Sequence, residues 1–153
     1  MKRADESYLP KRMPKGRSRK WPTLVIEVGY SESHQKLVGD VSWWLSQSKG
    51  DVLTVLTVDI NQRRKEITVE KWSSTQAGRG TSIYRTVLSQ EAGQNDIHAT
   101  NEAPLSIDFN HLFLRDTEGP YERIIEFDLS DLEYLSKQIW KLEFEEWTED
   151  DYF

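Results

Sequence analysis

An α/β fold with a central mixed sheet flanked by helices is predicted by three features of the 153-residue sequence. A strand-forming run, "TLVIEV" (23–28), closes at Gly29. An amphipathic stretch of about five turns, "SESHQKLVGDVSWWLSQSKG", follows at once, and a second β-branched run, "DVLTVLTVDI" (51–60), comes next. Strand, long helix and returning strand make a βαβ-like unit, for which a parallel crossover is the usual solution.

In the first strand Thr23, Val25 and Glu27 share one face, with Leu24, Ile26 and Val28 on the other, because side chains alternate with period 2. Glu27 stands out. With both faces covered, its ionised carboxylate costs on the order of several kcal/mol unless a cation or hydrogen-bond donors compensate it. The helix over 33–48 can be capped by Ser31 or Ser33 and ended by Lys49-Gly50. Leu37, Val41, Trp44, Leu45 and Ser48 recur at three- and four-residue spacing and define its inward face. The turn "NQRR" (61–64) joins 51–60 to "KEITVEKW" (65–72), an alternating strand that adds an antiparallel neighbour.

The following segment is less regular. "SSTQAGRG" reads as a loop, "TSIYRTVL" as a strand, and "SQEAGQNDIHATNEAP" as turns with a short strand at Ile97. "LSIDFNHLFL" and "YERIIEFDL" read as strands or strand-plus-turn pieces around "RDTEGP". Ser130 or Asp131 caps a last helix, "LEYLSKQIWKLEFEEW". No internal repeat is evident.

The length fits one domain. Hydrophobic content of 37% is modest, but six Trp, six Tyr and five Phe supply large surfaces for a core. No apolar run approaches about 18 residues and no cysteine occurs, which argues against a membrane span, disulfides and thiolate metal sites. The lack of cysteine and a basic segment fit an intracellular protein, cytoplasmic or nuclear.

The net charge of −6 conceals a polarity along the chain, since residues 1–20 hold eight Lys or Arg against two acids. The segment "PKRMPKGRSRK" (10–20) concentrates Lys11, Arg12, Lys15, Arg17, Arg19 and Lys20 among two prolines and a glycine. It reads as an exposed basic loop: a contact for nucleic-acid phosphates, a nuclear import signal, or a solvated connector. "EFEEWTEDD" (143–151) carries six acids and reads as a frayed helix end or acidic tail.

Taken with "ADESYLP" (4–10) upstream and "SESHQKL" (31–37) downstream, the "WPTLVIEVGYSES" stretch resembles the PD-(D/E)XK, or restriction-endonuclease-like, superfamily. It is most similar to a fungal group in which "xDESxxP" precedes "WPTLVxEVGxSES", an amphipathic "L..D..WWL" helix and "GDV". The resemblance covers residues 4–72. It implies a restriction-endonuclease-like mixed sheet without the superfamily's first helix and strand, and a nuclease-like core at 1–72; the residues themselves give less defined strands and loops at 73–129, a helix at 130–147 and an acidic tail at 148–153.

By this resemblance Asp5 is the aspartate of the "PD" element, with Ala4 where the proline usually stands, and Glu27 is the acid of "(D/E)XK". In active members two such carboxylates hold Mg²⁺, with Mn²⁺ as a substitute, for phosphodiester hydrolysis of nucleic acid. The family lysine is absent, since Gly29 occupies its position. A bacterial branch moves that lysine to the following helix, where Lys36 is the natural candidate here and His34 a poorer one. Lys36 also precedes Asp40 by one turn and can pair with it on a solvated face. Glu32 reads as a third ligand or as part of a capping segment.

Other constellations are weak. His34, His98 and His111 are scattered, "QAGRG" (76–80) lacks the lysine of a nucleotide-binding loop, and no serine has a nucleophile-elbow context. Trp43-Trp44 reads as one buried and one interfacial aromatic rather than a base-stacking platform. The implied function is metal-dependent nucleic-acid hydrolysis, with a non-catalytic binding or interaction domain on the same fold as the alternative.

Overall fold

A computed structural model of the chain describes residues 2–30, 34–75, 80–91 and 96–144. The two β-branched runs form Leu24–Tyr30 (β2) and Thr54–Asn61 (β3), parallel to one another from Leu24↔Thr54 to Tyr30↔Ile60. The amphipathic stretch is the crossover helix, His34–Gln47 (α1). Ahead of β2 lies a short strand, Glu6–Tyr8 (β1), antiparallel to it. Beyond β3 come Glu66–Ser74 (β4), Gly80–Gln90 (β5) and Ile97–Ala99 (β6), each antiparallel to its predecessor. The result is one mixed six-stranded sheet in the order β1-β2-β3-β4-β5-β6.

Both faces of the sheet are covered. On one, α1 buries Leu37, Val41, Trp44 and Leu45 against Val25, Val52 and Val55. Each such side chain contributes roughly 1.5–3 kcal/mol. Ser48 is buried at the helix end, where its hydroxyl accepts the Val52 N–H at 3.0 Å. Lys49 and Gly50, both at positive φ, stop the helix as the sequence predicts. Trp44 is buried and Trp43 half-buried, edge to face with it at 5.0 Å.

On the other face, Leu56, Ile60, Ile67, Val69 and Leu88 pack with Leu132 and Trp140 of the last helix, Leu129–Phe144 (α3), and with a two-stranded sheet of Leu105–Ile107 (β7) and Ile125–Phe127 (β8). A cavity of about 850 Å³, lined largely by aliphatic side chains such as Ile26, Val58 and Leu135, remains between this face and α3.

Several elements differ from the sequence reading. Glu27 is not at a strand end: Val28, Gly29 and Tyr30 continue the pairing with β3, making Glu27 the fourth of seven residues. Of "LSIDFNHLFL", read as a strand or a strand-plus-turn piece, only Leu105–Ile107 is strand; the chain then forms a short helix, Phe109–Phe113 (α2), ended by Leu114 at φ 58°. The cap of α3 is Asp128 rather than Ser130 or Asp131. Its carboxylate accepts the Asp131 N–H at 2.9 Å, and the Asp131 carboxylate accepts the Asp128 N–H at 3.0 Å, a reciprocal capping box. Ser31, Glu32 and Ser33, most of "QAGRG", and the acidic stretch beyond Phe144 lie outside the described residues. Among the described residues no helix is long and apolar enough to cross a membrane.

Val41 is 1% exposed on the packing face of α1. Val41→Asp buries an unpaired charge there and lowers stability by about 2 kcal/mol or more, measured by urea unfolding; a neutral result would contradict this packing.

Candidate functional site

The buried acid in β2 has its compensation. Glu27 is 5% exposed and points to the α1 face, where the indole Nε1–H of Trp44 donates to its Oε1 at 2.8 Å. The helix can come this close because residue 29 has no side chain. A Cβ on Gly29 would stand 2.9 Å from Leu37 Cγ, closer than such atoms approach. The absence of a lysine two residues after Glu27 therefore has a steric basis: the space is filled by Leu37.

Asp5 comes to Glu27 through the β1–β2 ladder. Glu6 pairs with Ile26, so one residue further along this register brings Asp5 alongside Glu27. There its Oδ2 accepts the Val28 N–H at 2.8 Å, which fixes the direction of the carboxylate. Lys36 and Asp40 approach from the first turns of α1. Asp5, Glu27, Lys36 and Asp40, together with Lys2 and Arg3, line one cavity of about 170 Å³.

The electrostatics of this cavity are those of crowded acids. Burial pushes the Glu27 carboxyl above its ordinary value of 4.5; the Trp44 hydrogen bond opposes that shift, and the charges of Asp5 and Asp40 and a hydrogen bond to Asp5 reinforce it. Asp40 is not paired with Lys36. It is ion-paired with Lys2, whose ammonium also lies 5.8 Å from the Trp43 ring centroid. Lys36 is exposed and has no ion-pair partner among the described residues. No three metal-ligating side chains are grouped to hold an ion among the described residues, so a cation at Glu27 would rest on two carboxylates and water. Mg²⁺ commonly binds in that way, and the hard oxygens of Asp5 and Glu27 suit it.

Along the same face Glu27, Thr57, Glu70 and Arg85 stand opposite one another on four adjacent strands. Thr57 accepts the Trp72 indole N–H at 2.9 Å, and Glu70, 7% exposed, accepts the Ser82 hydroxyl at 2.7 Å and meets Arg85 at 3.6 Å. Glu70 is thus satisfied by its neighbours, whereas Glu27 opens on a cavity. His34 is outside that cavity lining, with Nδ1 3.2 Å from Asp59 Oδ2. His111 meets Asp108 at 3.6 Å, and His98 lies on β6.

The basic loop precedes β2, at the end of the strand away from α1's first turn. Lys11, Arg12, Lys15, Arg19 and Lys20 are exposed, with Arg12 3.7 Å from Glu118. Arg17 is different. Its side chain is 11% exposed, donates to the Trp21 and Asp51 carbonyls at 2.9 Å and pairs with the Asp51 carboxylate at 3.3 Å. Arg17 fastens the loop to the start of β3's lead-in and is not presented to a ligand. Sequence reasoning missed Trp44 as a hydrogen-bond donor to Glu27, and missed Lys2, Arg3 and Asp40 as lining residues.

No family model, curated protein or solved structure matches the chain.

A carboxyl with a raised folded-state pKa binds its proton more tightly when folded. It therefore favours folding in acid, and that contribution is lost as pH rises through the folded pKa. Glu27→Gln keeps an acceptor for Trp44 and removes the charge. Thermal unfolding across pH 4 to 8 will find Glu27→Gln close to wild type at the acid end and more stable at the alkaline end; a variant less stable than wild type at pH 8 would refute the raised Glu27 pKa.

Proposed function

We propose that the chain is a restriction-endonuclease-like protein of the PD-(D/E)XK type, built for metal-dependent hydrolysis of nucleic-acid phosphodiesters at the Asp5–Glu27 cavity. The observation that carries this reading is the meeting of Asp5, Glu27 and Lys36, from β1's entry, β2 and α1, around one small polar cavity. The sequence resemblance assigns metal-holding roles to the two acids and a phosphate-facing role to the lysine. A bound Mg²⁺ would neutralise charge developing on the phosphate and lower the pKa of a coordinated water.

Within this reading the chain's own groups have separate tasks. Asp5 is oriented by the Val28 amide and Glu27 by the Trp44 indole, so neither carboxylate has to be ordered when a cation arrives. Lys36, exposed at the cavity mouth, attracts the scissile phosphate and stabilises its added negative charge. Lys11, Arg12, Lys15, Arg19 and Lys20 supply phosphate contacts along the backbone, at a distance from the cavity set by the length of β2.

A second reading is a non-catalytic domain that binds nucleic acid or protein with the same fold. The Lys2–Asp40 ion pair favours it, since an ammonium already neutralises one acid of the cavity.

Calorimetric Mg²⁺ and Mn²⁺ titration of wild type and Glu27→Ala separates the readings. The nuclease reading predicts binding abolished in Glu27→Ala, and cleavage that requires the metal, survives His34→Ala and disappears in Glu27→Gln. Cleavage retained by Glu27→Gln would remove Glu27 from catalysis, and nucleic-acid binding with neither metal uptake nor cleavage would decide for the second reading.

Replacing Lys11, Lys15, Arg19 and Lys20 with Gln should weaken nucleic-acid binding and reduce its salt dependence, by up to about 0.9 in log–log slope for each phosphate that is no longer neutralised. An unchanged slope, measured by fluorescence anisotropy, would place the nucleic acid elsewhere on the protein.

A further inference from the structure

Three tryptophan rings meet where the last turns of α1 approach the start of β2. Trp44 is buried and bonded to Glu27, whereas Trp21 and Trp43 are half-buried, with ring centroids 5.7 Å apart and planes inclined at 57°. Each half-buried ring carries an ammonium. Lys20 Nζ lies 5.4 Å from the Trp21 centroid, and Lys2 Nζ lies 5.8 Å from that of Trp43. Lys20 is exposed, so the Trp21 face beneath it is directed to the surface and not closed over by the core. Trp21 is also held in place. The Arg17 guanidinium donates to its carbonyl at 2.9 Å and to the Asp51 carbonyl at 2.9 Å.

These rings lie in line with the cavity. Lys36, Asp40 and Trp43 follow one another at four- and three-residue intervals on one flank of α1, which puts Lys36 and Trp43 about 10 Å apart along its axis. Lys2 bridges the last step, paired with Asp40 and placed over Trp43. Lys20, over Trp21, ends the basic segment 10–20. Basic groups and aromatic rings thus alternate from the mouth of the Asp5–Glu27 cavity to the basic loop. A single strand uses such an alternation in full, because its phosphates meet the ammoniums and its unpaired bases stack on the rings; a duplex keeps its base faces covered by one another. Stacking is the stronger contact for an indole than an exposed ammonium is, so a base displaces the flexible lysines, which are then free for phosphates. The adjacent Trp43-Trp44 pair is unsuited to this role because Trp44 is buried. We infer that Trp21 and Trp43 form a stacking platform that leads single-stranded nucleic acid from the basic loop to the Asp5–Glu27 cavity. The inference rests on the nucleic-acid reading given above and narrows its substrate to unpaired DNA or RNA.

The test is fluorescence-anisotropy binding to the full chain of three labelled probes of about 12 nucleotides: a DNA single strand, the same sequence as RNA, and the DNA duplex. It compares wild type with Trp21→Leu, Trp43→Leu and Trp43→Phe. Leucine keeps an apolar contact with the α1-side core and removes the ring, phenylalanine keeps a ring, and circular dichroism verifies that the fold is kept. In wild type the better-bound single strand, which names the polymer, is expected to bind about tenfold more tightly than the duplex. Each leucine variant is expected to lose about tenfold for that strand and nothing for the duplex, with most of the loss restored in Trp43→Phe. A duplex bound as tightly as the single strands by wild type overturns the inference without recourse to any variant. Single-strand affinity unaltered in both leucine variants overturns it too, as does an equal loss for strand and duplex, which marks the rings as structural. If the platform results hold but wild type takes up no Mg²⁺ and cleaves nothing, the platform stands and the nuclease reading falls. If Mg²⁺-dependent cleavage is lost in Glu27→Gln but single strands have no preference over duplex, the nuclease reading stands and the platform falls.

Discussion

The hydrogen bond from the Trp44 indole to the Glu27 carboxylate, 2.8 Å long and buried between α1 and β2, is the interaction around which the α1 side of the molecule is arranged. An acid in the middle of a covered strand is tolerated when a donor reaches it, and here the donor is the largest side chain on the packing face of the helix. For the indole to reach, α1 must press onto β2. It does so over Gly29, where Leu37 fills the space a side chain would take. Removal of the indole would leave a buried carboxylate short of a partner; a side chain at residue 29 would push the helix away. One constraint thus links the phase of α1, the glycine and the direction of the carboxylate.

That constraint also explains why the two faces of the sheet differ. The face toward α3 is aliphatic from Leu56 to Leu88. The face toward α1 carries polar residues in register across β2 to β5, from Glu27 through Thr57 and Glu70 to Arg85. Each buried member of that row has a donor from a neighbouring strand or helix: Trp44 for Glu27, Trp72 for Thr57, Ser82 for Glu70. Tryptophan indoles satisfy two of the three, which gives the aromatic-rich composition a polar as well as an apolar role. Where the row reaches β1 it ends in the Asp5–Glu27 cavity, and the acids there, unlike Glu70, are left facing open space.

Much of this architecture was legible in the sequence, for physical reasons that also mark where legibility stops. Periodicity revealed β2, α1 and β3 because their buried faces repeat at 2.0 and 3.6 residues, and it identified Leu37, Val41, Trp44 and Leu45 as the inward face of the helix. The mismatch of Glu27 with its apolar neighbours signalled that a compensating group had to exist. It did not reveal that Trp44, already accounted for as a core aromatic, was that group. Phe109–Phe113 reads as strand by composition because aromatic and aliphatic residues serve either state; its helical form is decided by tertiary packing, including Tyr8 against Phe113 at 5.6 Å. The ion pair between Lys2 and Asp40 spans 38 residues and has no local signature, whereas the nearer Lys36 has the spacing that invites a pairing the chain does not use. Arg17 is inseparable by sequence from the other basic residues of its loop, and only the carbonyls of Trp21 and Asp51 distinguish it.

The proposed metal site requires that Glu27, a buried acid beside Asp5 whose pKa is raised, give up its proton to a divalent cation. Its most direct test is a pH titration of the Glu27 side-chain carboxyl carbon by nuclear magnetic resonance, with and without Mg²⁺. The account predicts a midpoint above 4.5 in the metal-free protein and a fall when Mg²⁺ is added, because the cation favours the ionised form that burial and the neighbouring acids oppose. A midpoint at or below 4.5, unmoved by Mg²⁺, would contradict it.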